Sequence, residues 1–147
     1  MKISIACDHA GLKTKLRVRR VLESHGHEVI DCGTDSEESC DYPDFGLKAA
    51  RMVPSGAVDR AILVCWTGNG MGIAANKVKG VRAGIAINRD MAYYTRLHND
   101  ANVLVLGQKY IETGELEGII MAFLSTEFEG GRHIRRLEKI AKAEQEQ

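Results

Sequence analysis

The sequence predicts an α/β fold: a three-layer αβα sandwich built on a five-stranded parallel sheet. Three observations predict it. Strand-like and helix-like patterns alternate along the chain, the order produced by repeated βα units. Several strand-like segments are unbroken apolar runs, as expected when both faces of a sheet are covered. One of them, Ala61-Ile62-Leu63-Val64, leads into Cys65-Trp66-Thr67-Gly68-Asn69-Gly70-Met71-Gly72, a glycine-rich turn between a buried strand and a helix. A sheet covered in this way is Rossmann-like in layout.

Each element has its own warrant. Residues 2–7 form the first strand. A helix carrying Leu12, Leu16, Val21 and Leu22 on one side follows, and Gly26 stops it. Residues 28–32 are a second strand, followed by a polar loop to Tyr42-Pro43. A helix then runs from about Asp44 to Ser55-Gly56. The third strand enters the glycine-rich turn, and the next helix is expected from Ile73 onward. Residues 82–87 and 102–106 are the fourth and fifth strands, with a helix around 91–96 between them and His98-Asn99-Asp100 read as loop. Residues 113–125 are helical, with Leu116, Ile119, Ile120 and Phe123 on the apolar side. The tail, 132–147, sets Ile134, Leu137, Ile140 and Ala141 on a stripe at helical period. An amphipathic helix beyond a finished domain needs a surface to cover, and a partner subunit is the natural one.

The chain has 147 residues, 44% hydrophobic and 27% charged, with a formal net charge of zero. That is one domain, 1–147, of ordinary globular composition. A neutral chain has no global field to draw nucleic acid or an acidic membrane, so phosphate recognition must come from local cations. No stretch approaches the roughly 18 apolar residues of a membrane span and the start lacks a secretory pattern, which places the protein in the cytoplasm. The four cysteines show neither a CxxC pair nor metal-finger spacing. Cys7, Cys32 and Cys40 read as buried small hydrophobes, and no disulfide is expected in a reducing compartment.

Cys65 differs from the other three. Its strand ends where open α/β sheets bind ligands. The turn after it offers a hydroxyl on Thr67 and a row of backbone N–H groups, which together with a helix start favour an anion. Asp8-His9 leaves the first strand at the same sheet edge, although Asp8 alone is equally well explained as a helix cap. His98-Asn99-Asp100 alone is a polar loop. Arg132 and Arg136 share a helix face at i, i+4 and are either a solvated basic face or a phosphate fork.

Two alternatives fail on spacing. A cysteine phosphatase loop needs arginine six positions after the cysteine, where Met71 stands. A dinucleotide fingerprint needs G-x-G-x-x-G after the first strand, where the chain reads Cys7-Asp8-His9-Ala10-Gly11. Asp8, His9 and His98 lack the spacing of a local metal site, and neither metal nor cofactor is expected.

Asp8-His9-Ala10-Gly11, Gly33-Thr34, Tyr42-Pro43-Asp44-Phe45, Cys65 with residues 67–71, residues 74–77, 98–104 and 127–133 together resemble the ribose-5-phosphate isomerase B family, which also holds galactose-6-phosphate isomerase subunits. The matches span nearly the whole chain in the family's order. The resemblance implies a metal-free aldose–ketose isomerase of the pentose phosphate pathway, working through an enediolate. Cys65 falls on its thiol base, Thr67 on a helper in proton transfer, and Thr67, Gly68, Asn69 and Gly70 on the oxyanion cradle. His98, with Asp8 nearby, matches the ring-opening groups. Asp8, His9 and Asn99 match sugar-binding positions, and Arg132 and Arg136 match phosphate ligands. The family is dimeric or tetrameric with sites shared between subunits, so a homodimer that takes a small sugar phosphate is implied.

Two positions depart from the family's pattern. Trp66 stands where glycine is usual; were that glycine to need positive φ, the indole-bearing residue would be strained or the loop redirected. Lys109 replaces a phosphate-binding arginine, keeping the charge and losing the fork. Both bear on the sugar more than on the reaction. The same chemistry on a hexose 6-phosphate, and a non-catalytic phosphosugar-binding protein, are the competing readings.

Overall fold

The computed structural model describes residues 1–112 and 114–146. Five strands, β1 (Lys2–Cys7), β2 (Glu28–Asp31), β3 (Arg60–Cys65), β4 (Ala83–Ile85) and β5 (Val103–Gly107), form one sheet in the order β2-β1-β3-β5-β4. Every pairing is parallel. Six α-helices connect and cover them: α1 (Leu12–Ser24), α2 (Tyr42–Arg51), α3 (Asn69–Ala75), α4 (Arg89–Asn99), α5 (Leu116–Ser125) and α6 (Arg132–Gln145). The expected α/β class and sheet are therefore present.

Side-chain alternation along the central strands creates the layers. Ile62 and Val64 join Ile3, Ile5, Leu104, Val18, Leu22, Ile119 and Phe123 in one core. Ala61, Leu63 and Cys65 join Ala49, Ala50, Met71, Val103 and Val105 in the other. Truncating a fully buried side chain such as Phe123 to alanine would cost about 3–5 kcal/mol. On α1 the buried face is Thr14, Lys15, Val18 and Leu22, while Leu16 is exposed, contrary to the expected stripe. Lys15 is buried because its ammonium meets Asp31 Oδ1 at 2.8 Å, the Thr34 carbonyl at 2.7 Å and Asp35 Oδ1 at 2.9 Å. A paired and hydrogen-bonded charge is the kind that burial tolerates.

Several boundaries differ from expectation. α2 starts at Tyr42, since Pro43 fits the first turn where its missing N–H is harmless; it ends at Arg51. α3 begins at Asn69, inside the glycine-rich segment, four residues before Ile73. His98 and Asn99 are the last turn of α4 rather than loop, and Asp100 closes that helix in the left-handed region, φ 45°. Asp100 holds this conformation through Arg82 at 2.7 Å and Arg96 at 2.8 Å. β4 is three residues long rather than six. α5 starts at Leu116, and Thr113 lies outside the described residues, as does Gln147. Cys7 and Cys32 are buried as expected; Cys40 is half-buried, resting beside His9. No helix among the described residues is long and apolar enough to cross a membrane.

Candidate active site

β1 and β3 are neighbours whose following connections leave toward opposite sides of the sheet, because β1 leads to β2 at one edge and β3 leads to β4 at the other. Ligands of open α/β sheets bind at such a crevice, outside the carboxyl ends of the strands. Asp8-His9 leaves β1 there, and Cys65-Trp66-Thr67 leaves β3. Val64 pairs with Cys7 and Cys65 with Gly107, so the three strand ends are level. The amides of Gln108 and Lys109 donate to the Cys65 and Trp66 carbonyls at 2.9 and 3.0 Å, stitching the loop after β5 to the glycine-rich turn.

Cys65 is 5% exposed. Its sulfur faces the turn, where Gly68 N–H donates to Sγ at 3.2 Å. Gly68 takes φ +87°, a value costly for other residues, and this rotation aims its amide back at the thiol. α3 then begins at Asn69 with no side chain capping it. Asn69 N–H reaches Thr67 Oγ1 at a long 3.4 Å, and a helix cannot pair its own first-turn amides. The amides of Gly70 and Met71 are thus oriented donors with no intrahelical acceptor. Gly70 also lies under the Tyr42 ring, where a Cβ would come within 2.7 Å of it. Sequence reasoning assigned Tyr42 no place at the turn; a tyrosine opening a helix carries no local signal for it.

Trp66 is 50% exposed beside the thiol. Asp100 is the only described residue other than glycine at positive φ, so of the two conditional outcomes for Trp66 the strained one does not arise. Asp8 caps the 3-10 turn His9–Gly11 by accepting from Gly11 N–H at 3.0 Å. Burial pushes its carboxyl above the ordinary range, partly offset by that amide. His9 Nδ1 accepts from Cys40 N–H at 3.2 Å, which leaves the ring proton on Nε2. Lys109 is exposed, with its ammonium 5.7 Å from the Tyr110 ring centroid.

His98, Asn99, Arg132 and Arg136 form a second group elsewhere. α4 runs back along the sheet, so its last turn lies near the amino-terminal end of β5, level with Ala61 rather than Cys65. The four residue steps from Ala61 to Cys65 span roughly 13 Å. Within one chain, Asp8 and Cys65 therefore sit at one edge of the sheet and His98 at the other; Asp8 is not beside His98, nor do Asp8, His9 and His98 converge on a metal. The His98 ring stacks on His133, centroids 4.3 Å apart, and tilts against Tyr94 at 4.9 Å. The chain before α6 is tied to this turn by Glu129 N–H donating to the Leu97 carbonyl at 2.9 Å. Arg132 opens α6 and Arg136 is exposed one turn later, with Nη1 3.4 Å from His133 Nδ1. Asn99 is exposed, and its carbonyl accepts from Arg82 at 3.1 Å.

The family model described as Ribose/Galactose Isomerase matches residues 3–140. This chain belongs to the ribose/galactose isomerase family. Ribose-5-phosphate isomerase B of Escherichia coli is 42% identical over 144 residues, covering 98% of this chain and 97% of that protein. The structure of ribose-5-phosphate isomerase B from Clostridium thermocellum superposes with a TM-score of 0.97 at 48% identity, covering 99% of both chains. That of the Mycoplasma genitalium isomerase with bound ribulose-5-phosphate gives 0.94 at 40% identity, covering 99% and 97%. Membership of the ribose/galactose isomerase family makes this chain an enzyme of the isomerase class.

Proposed function

We propose that the chain interconverts D-ribose 5-phosphate and D-ribulose 5-phosphate in the cytoplasm, through an enediolate, with Cys65 as the base and no metal. One observation carries the reading: the Cys65 sulfur accepts an amide at the mouth of a turn whose next amides open an uncapped helix. The thiolate is the reactive form. It removes the proton at C2 of the open-chain aldose. The electron pair moves into the C1 carbonyl, so that O1 gains charge the substrate lacks. N–H donors aimed at that oxygen stabilise the transition state selectively; in other enzymes each is worth roughly 2.7–4 kcal/mol. Thr67 passes a proton between the two oxygens, and the thiol, whose proton exchanges with solvent while the enediolate lives, delivers a proton to C1. Relatives that carry ribose-5-phosphate isomerase B names support the sugar.

His98 opens the sugar ring, Asp8, His9 and Asn99 hold hydroxyls, and Arg132, Arg136 and Lys109 hold the phosphate. Phosphate binding positions the reacting carbons without joining the chemistry. Because His98 and the arginines lie at the far sheet edge from Cys65, a complete site takes its second half from another copy of the chain. We assign that contact to α6, on which Ile134 is 47% and Ile140 56% exposed. Trp66, half-exposed beside the base, favours a second reading in which the preferred sugar is a hexose 6-phosphate. Turnover on ribose 5-phosphate and on hexose 6-phosphates decides: a pentose preference is expected, and a clear hexose preference overturns the first assignment.

A further inference from the structure

The cluster at the end of α4 contains more than ring opening uses. One ligand atom from each of His98, Glu129 and His133 lies within 4.8 Å of the others. Glu129 Oε2 is 3.1 Å from His133 Nε2 and 3.8 Å from His98 Nε2. His133 is 4% exposed, and its Nε2 makes no hydrogen bond of acceptable angle among the described residues, despite the nearby carboxylate. A sealed imidazole nitrogen without a good partner is costly to keep, and the Glu129 carboxylate and the His98 ring lie beside it.

We propose that His98, Glu129 and His133 form a binding site for a divalent transition-metal ion of the zinc class, and that the bound ion inhibits the enzyme by occupying the His98 imidazole. Two imidazoles and one carboxylate are a zinc donor set with a fourth position left for water. Ligand atoms bound tetrahedrally at about 2.0–2.2 Å sit roughly 3.3–3.6 Å apart. The 3.1 and 3.8 Å separations to Glu129 bracket that range, while half-buried His98, stacked on His133 at 12°, has to turn out of that stack for both ring nitrogens to face one ion, and Glu129, whose side chain is 54% exposed, is free to follow. A metal takes His133 through Nε2 as the neutral ring. The ring proton moves to Nδ1 as the ion takes Nε2, and exposed Arg136 gives up its 3.4 Å contact. Arg132 and Arg136 oppose a cation, while Glu129 cancels one of its charges. The balance suits a site filled when the metal is abundant rather than a permanently loaded one. The site stands on geometry alone; its inhibitory effect rests on the role proposed for His98.

Metal-free full-length protein titrated with zinc chloride by calorimetry should take one ion per chain. Glu129→Gln and His133→Gln should each weaken binding at least tenfold; Glu129→Gln alters a largely exposed side chain and guards against misfolding of the buried variant. Cobalt(II) in place of zinc should give tetrahedral d–d bands without thiolate-to-cobalt charge transfer. Zinc should lower wild-type turnover with a midpoint at the calorimetric Kd, and Glu129→Gln, scaled to its own metal-free rate, should need at least tenfold more. Binding that survives both substitutions, a charge-transfer band from Cys40 or Cys65, or no binding at all overturns the site. Site-dependent binding that leaves turnover untouched overturns the inhibition. A metal-free enzyme that does not isomerise ribose 5-phosphate counts against the proposed function instead, and calorimetry still decides the site.

Discussion

Replacing Cys65 separates a catalytic sulfur from a structural one, because the structure gives that sulfur two separable duties. It accepts the buried Gly68 amide at 3.2 Å, and in the proposed mechanism it moves the proton. Cys65→Ala removes both. An amide left buried without a partner costs about 1–3 kcal/mol of stability, and loss of the base costs about 10²–10⁴ in kcat, or roughly 3–5 kcal/mol of barrier. Cys65→Ser removes only the second, because the hydroxyl oxygen still accepts from Gly68 while remaining a far weaker acid than a thiol. Thermal unfolding should therefore rank serine close to wild type and alanine below it, with turnover lost in both. The loop stays closed in either variant because the Gln108 and Lys109 amides still donate to the Cys65 and Trp66 carbonyls, so calorimetric binding of ribose 5-phosphate should persist. If serine restores turnover along with stability, the sulfur is a structural acceptor and the reasoning fails. Loss of sugar binding in both variants would refute it as well.

Three other outcomes follow from the structure. Lys15→Met should destabilise the fold by about 2 kcal/mol in urea unfolding, below the roughly 3–5 kcal/mol for a fully buried pair because Asp35 is largely exposed. Burial pulls the Lys15 pKa down, but hydrogen bonds to Asp31 and Asp35 outweigh it and raise the net value, while Lys15 holds Asp35 below the carboxylate range. The Asp35 share is present above its unfolded pKa of about 3.9 and lost as pH falls through the depressed folded value. The Lys15 share is present below about 10.4 and lost as pH rises through the raised folded value, so the gap between wild type and variant should narrow at both extremes; a constant gap would dismiss the clasp. Arg136→Ala should raise KM for ribose 5-phosphate roughly 10- to 150-fold, the equivalent of about 1.5–3 kcal/mol for a charged hydrogen bond, and an unchanged KM removes Arg136 from the phosphate site. Trp66→Gly should shift the ratio of pentose to hexose turnover while leaving the loop folded, since Trp66 needs no positive φ; an unaltered ratio frees the indole of any part in selectivity.

Much of this arrangement was legible before any coordinates. Strands such as 61–65 and 103–106 carry continuous apolar runs that suit a doubly covered sheet, and glycine spacing marked the turn after Cys65. The stripe on α5 was equally plain, since Leu116, Ile119, Ile120 and Phe123 are all buried. What escaped depends on contacts distant in sequence. Lys15 reads as an exposed helix position until Asp31, Asp35 and the Thr34 carbonyl enclose it. His98 reads as loop because the extra turn of α4 is held by the Arg82–Asp100–Arg96 clamp, of which only the i, i+4 spacing of Arg96 and Asp100 is local. The division of site residues between two sheet edges is a property of topology, and the spacing of motifs along a chain is silent on it. Glu129 and His133 lie in the 127–133 stretch that carries the resemblance, but nothing local signalled that they meet His98, which is on α4.

The proposal that a thiol shuttles one proton between adjacent carbons is tested most directly in D2O. Ribose 5-phosphate incubated with the metal-free wild-type enzyme should yield ribulose 5-phosphate carrying solvent deuterium at C1, and recovered ribose carrying it at C2, as read by proton NMR. Isomerisation with no deuterium at either carbon would mean that hydrogen passes from C2 to C1 without entering a solvent-exchangeable thiol, and the account of Cys65 as an exchanging base would be wrong.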